Sequence, residues 1–130
     1  MTSDYDQMIE WGMRAIAIDE RNSGGFFAIL RAYYWKAIKS TNSRDWEKAI
    51  YWGEHALQAP VAQSVLPHNP ELQHNINYYM NIVYSKIGNI EKAIECSKIL
   101  VKNRPDDQDM KTNLRLHEEN WARIKNGTLI

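Results

Sequence analysis

Four histidines, one cysteine and a short run of aspartates are the residues of this 130-residue chain whose types and spacing invite a chemical reading. His68 and His74 flank an expected helix start and are near enough in sequence to approach each other, whereas His55 and His117 are remote. Zinc takes three or four ligands in tetrahedral geometry. Two histidines with Cys96 on a distant helix supply that poorly, so they read as surface histidines, and no metal or cofactor is expected. Cys96 has no His or Asp at a spacing that would activate it as a nucleophile. It follows Ala93 by three positions on an expected packed helix and reads as a small buried or half-buried thiol. "DDQD", residues 106 to 109, contains the Asp-x-Asp pattern that can hold a divalent metal and a nucleotide sugar. Here it follows Pro105 and precedes a helix, where carboxylates are stabilised by unpaired N–H groups and the helix dipole. Gly24-Gly25 lacks the flanking glycines and lysine of a phosphate loop, and reads as a break between helices. No catalytic residue emerges.

Composition removes further classes. Sixteen basic and sixteen acidic side chains cancel, which argues against a phosphate-matching nucleic-acid surface and against binding to an anionic membrane. Five tryptophans and seven tyrosines are many, but no basic stripe accompanies them, as a base-stacking platform would require. No apolar run approaches the roughly 18 residues of a membrane span. A single cysteine suits a reducing, cytoplasmic setting. Hydrophobic residues at 44% are enough to bury a core.

The elements that would position these side chains come from a repeated phrase. "DYDQMIEWG" (4–12), "DWEKAIYWG" (45–53) and "NIEKAIECS" (89–97) align without gaps. Each opens on Asp4, Asp45 or Asn89, side chains that accept from the free N–H groups of a helix start. Met8-Ile9, Ala49-Ile50 and Ala93-Ile94 coincide; Gly12, Gly53 and Ser97 then fall on the same helical face, as do Ala15, Ala56 and Leu100. Small residues on that face admit a neighbouring helix closely. A second helix precedes each of the last two copies: Ile76, Tyr79, Met80, Val83, Tyr84 and Ile87 make one stripe, ending at Gly88; Leu30, Tyr33, Tyr34, Ala37, Ile38 and Thr41 make the other, ending at Asn42. The spacing predicts helices over 4–21, 25–41, 45–58, 71–87, 90–103 and 107–125, with no sheet.

His74 to Asp107 spans 34 residues, the tetratricopeptide period. Met80, Tyr84, Gly88, Ala93 and Pro105 stand where that family has its Leu, Tyr, Gly, Ala and Pro. Asn77, Asn81 and Ser97 replace its usual Trp, Gly and aromatic residue. The chain therefore resembles a tetratricopeptide array in one all-α domain, 1–130: a half-repeat at 4–21, repeats at 25–59 and 71–105, a linker at 60–70, and a capping helix at 106–126. A right-handed superhelix of antiparallel helix pairs is the implied architecture. "DWEKAIYWGEHAL" together with "DDQDMKTNLRLHE" also resembles the helical-repeat tails of some glycosyltransferases, a resemblance that carries no catalytic residue onto this chain.

The tetratricopeptide resemblance implies a non-catalytic module that binds a partner protein or peptide along the first helix of each unit. It places Asn75, Tyr78, Ile82, Ser85 and Lys86 on that face, with Ile29, Ala32, Lys36, Lys39 and Ser40 as counterparts. Lys36, Lys39 and Lys86 would favour an acidic segment; the same face reads equally as plain solvated surface. The Asn-plus-Lys clamp for chaperone tails is not reproduced, because Tyr78 and Ile82 occupy its polar places. The alternative is an accessory domain of a larger enzyme. The first copy has no hairpin partner before it, and Tyr5, Ile9 and Trp11 would leave an apolar strip uncovered. That predicts either a longer protein that supplies the missing helix or pairing with a second copy.

Overall fold

The structure, a computed structural model, describes residues 4–19, 23–40, 42–58 and 70–127. Among them are six helices and no strand: α1 (Asp4–Ile18), α2 (Ser23–Ser40), α3 (Ser43–Gln58), α4 (Pro70–Lys86), α5 (Ile90–Asn103) and α6 (Gln108–Lys125). Among the described residues no helix is long and apolar enough to cross a membrane. Most of the expected linker and His68 lie outside the described residues.

The helix ends follow local chemistry. Gly88 takes φ +83°, which a side chain would strain, and closes α4. Asn89 then caps α5, its Oδ1 accepting from the Lys92 amide at 3.3 Å. Asp107 caps α6 in the same way, accepting from Met110 N at 3.2 Å. "DDQD" is thus a helix start. One end differs from expectation. Asn42 caps α3, accepting from Arg44 N at 3.0 Å, so the helix begins two residues before Asp45. Asp45 instead sits inside the first turn and accepts the Ser40 hydroxyl at 2.9 Å.

Neighbouring helices pair antiparallel. On α1 and α2, Asp6 meets Lys36 while Gly12 lies against Gly25 and Ile29. On α2 and α3, Tyr34 meets Trp46 and Phe26 meets Trp52. On α4 and α5, Asn81 meets Ser97 and Glu71 meets Arg104. The core joins these pairs: Leu30 of α2, Ala49 and Ala56 of α3, Ile76, Met80 and Val83 of α4, and Ala93 of α5 are all inaccessible to solvent. The repeated small residues do what their register implies. A methyl at Gly12 would stand 2.6 Å from Ile29 Cγ1 and 2.7 Å from the Gly25 carbonyl. One at Gly53 would overlap Met80. Ser97 meets α4 by a hydrogen bond rather than by close approach.

Candidate functional site

A concavity of about 460 Å³ opens where α2, α4 and the start of α6 converge. Phe27 and Arg31 come from α2, His74, Asn75, Tyr78 and Tyr79 from α4, and Arg104, Asp107 and Met110 from the α5–α6 turn and α6. Helical spacing accounts for the grouping: Phe27 and Arg31 are one turn apart, as are Asn75 and Tyr79. Phe27 and Tyr79 meet edge to face, with centroids 5.6 Å apart. The Arg31 guanidinium lies 5.5 Å from the Phe27 centroid and 6.0 Å from that of Tyr79, within cation–π reach of both rings. Arg31 Nε is buried without an acceptor among the described residues.

His74 is the second unusual group. Expected at the surface, it is only 5% exposed. The cause is its register. His74, Asn77, Asn81 and Tyr84 form one face of α4, and all four are buried. Burial, helped by the positive charge of Arg104, holds its pKa below the usual histidine range, against the opposing charges of Glu71 and Asp107. The imidazole is therefore neutral at neutral pH, and among the described residues its Nδ1 has no hydrogen-bond partner. Arg104 is occupied by Glu71 at 3.3 Å, and Asp107 by its capping bond.

The residues expected to line a groove divide into two groups. Asn75 and Tyr78 do line the concavity. Ile82 beside them is half-buried, and Lys86 is exposed at the end of α4. Ser85 meets His117 of α6 at 3.4 Å. Their counterparts on α2 face elsewhere. Ile29 and Ala32 were expected in an open groove, but both are fully buried, because the face carrying Gly25, Ile29 and Lys36 is the one α1 covers. Lys36 Nζ donates to Asp6 at 2.9 Å, a bond that raises its pKa. Lys39 Nζ stands 5.0 Å over the Tyr5 ring. Lys36 is thus paired with α1, while Lys39 is exposed above an α1 ring. Arg31, which carries the charge in the concavity, lies on a different face of α2 and was not singled out by sequence spacing.

A polar junction runs behind the concavity. Asn81 Nδ2 donates to the Ala93 carbonyl at 2.7 Å and to Ser97 Oγ at 2.6 Å, and Asn81 Oδ1 accepts from Asn113 Nδ2 at 2.8 Å. Asn77 turns back to the Gln73 carbonyl at 2.9 Å. Asn81 and Ser97, two of the departures from the tetratricopeptide pattern, are therefore partners in one contact. The pairs Asn81–Asn113 and Ser85–His117 each advance by one helical turn, so α6 runs parallel to α4.

Cys96 is buried, and its surroundings, chiefly burial and then Glu95, push its thiol up to about 12. Among the described residues no group of three or more His, Cys, Asp or Glu side chains is placed to hold a metal ion. On α1, Tyr5 and Ile9 are half-buried, whereas Trp11 is 58% and Ile18 88% exposed. Helix α2 is the principal neighbour of α1.

No protein-family model matches this chain, and no curated protein matches it either.

Proposed function

We propose that this chain is a non-catalytic, tetratricopeptide-like interaction module that holds a peptide segment of a partner protein in the concavity between α2, α4 and α6. The observation that carries the reading is the placement of Phe27, Asn75, Tyr78 and Met110, from three alternate helices, around one open depression of about 460 Å³. Helices that begin successive hairpins bring side chains to a shared surface when the hairpins stack. The parallel course of α4 and α6 supports such stacking. Aromatic walls supply contact area at little entropic cost, and the polar groups between them set orientation.

Panning a random heptapeptide library over the immobilised chain tests this. Selected peptides, added to isotope-labelled protein, should shift amide resonances of Phe27, Asn75, Tyr78 and Met110. Failure to select any peptide, or shifts confined to α1 and the outer face of α3, would contradict it. The exposed Trp11 and Ile18 on α1 favour a second contact, with a neighbouring domain or a second copy of the chain.

A further inference from the structure

We infer that the concavity recognises a carboxylate side chain of an acidic peptide, gripped by the flat fork of Arg31 beside the rings of Phe27 and Tyr79. The inference rests on the module reading above and adds what the site selects. A guanidinium carries five N–H donors in a fixed plane and no acceptor. The Phe27 and Tyr79 rings pack beside that of Arg31, their centroids 5.5 and 6.0 Å from its centre. Among the described residues Arg31 has no carboxylate partner, in contrast to Arg14, Lys36, Lys92 and Arg104, each of which has one. Its Nε is sealed from water without an acceptor, so the terminal N–H groups are the ones left to receive a ligand. Leaving a cation short of acceptors is costly in a half-dry site, and a carboxylate meets the guanidinium edge with two parallel hydrogen bonds.

A second observation points to the same ligand. His74 is 95% buried by its 5% exposure, lines the same depression and has an unpartnered Nδ1. A neutral imidazole beside the carboxylate adds a polar neighbour without a competing charge. The acidic groups nearby are already committed, Glu71 to Arg104 and Asp107 to the α6 amide. Tyr78, 42% exposed, and Met110 at the rim supply apolar contact for residues flanking the carboxylate. The surface therefore fits a Glu or Asp set among apolar or aromatic neighbours, rather than a run of acidic residues.

Two heptapeptide libraries that differ only in a central Glu or a central Gln, panned over the whole chain, test this directly. The Glu library should yield binders at least about tenfold tighter than the Gln library, the value of one charge-assisted hydrogen bond. Arg31→Met should erase that preference. Arg31→Lys, which keeps the charge and stem but not the plane, should reduce it, and guards against a Met variant that fails to fold. Equal yields from both libraries, or a preference untouched by either substitution, overturn the inference while leaving the module reading in place. No binders from either library overturn both. Inorganic phosphate alone, titrated against labelled protein, separates a small-anion site: saturation near Arg31 and His74 without any Glu preference overturns the peptide assignment.

Discussion

Removing the Asn81 side chain tests whether the polar junction is a structural tie or a tolerated accident. Asn81 is 3% exposed and makes three side-chain bonds, to Ala93 O, Ser97 Oγ and Asn113 Nδ2. In Asn81→Ala the Ala93 carbonyl still accepts its helical bond, so it is not stranded. Asn113 is half-exposed and can turn to water. Ser97, 1% exposed, cannot, and its hydroxyl loses its partner. A stranded buried hydroxyl costs about 1–3 kcal/mol and each lost bond a further 0.5–1.5 or so. The sum is about 2–4 kcal/mol after discounting the two groups that recover. For a chain of this length that lowers the melting midpoint by roughly 10 °C. Thermal unfolding followed by circular dichroism reads it. The cycle with Ser97→Ala is the sharper part. The double variant should be less destabilised than the sum of the singles by about 1 kcal/mol, because the stranded partner is gone. Strict additivity, or an Asn81→Ala loss under about 0.5 kcal/mol, would refute the network.

Other outcomes follow from the same geometry. Gly53→Ala gains about 1 kcal/mol of helix propensity but drives a methyl into fully buried Met80, so overpacking should win by about 1–2 kcal/mol; denaturant unfolding checks the sign. Cys96, buried and with its pKa raised to about 12, should resist iodoacetamide at about pH 8 in the folded chain and react promptly in urea, as mass spectrometry would report. Burial lowers the pKa of both His74 and His117. The unfolded chain therefore binds protons that the folded chain refuses, and stability must fall as pH drops below about 6.5. The melting midpoint should decline between about pH 7.5 and 5.5, and His74→Gln with His117→Gln should flatten the decline.

The helices were legible because caps and apolar spacing act locally. Asn89, Asp107 and Gly88 lie at the helix ends their chemistry implies, and the buried Ala49 and Ala93 lie at the repeated small-residue positions. Asn42 was misassigned because an asparagine serves either a helix end or the next helix start, and the chain here uses the second. The candidate site was less legible. Lys36 and Lys39 drew attention as charges on one stripe, but a stripe does not say which neighbour lies beside it; here Asp6 and Tyr5 of α1 do. Arg31 went unremarked because it lies among aromatic residues that read as core. His74 read as a surface histidine, and Asn81 only as a departure from the tetratricopeptide pattern. Their shared three- and four-residue spacing with Asn77 and Tyr84 was the available signal of a buried polar face.

The central claim, that α2, α4 and α6 hold a peptide in one concavity, is tested most directly by locating a bound peptide. Intermolecular nuclear Overhauser effects between a selected Glu-centred heptapeptide and the labelled chain would do so. The account predicts contacts to Phe27, Tyr78 and Met110, with the Arg31 side-chain N–H resonances shifted. Contacts to Trp11 and Ile18 on α1 instead, with Arg31 unmoved, would contradict it.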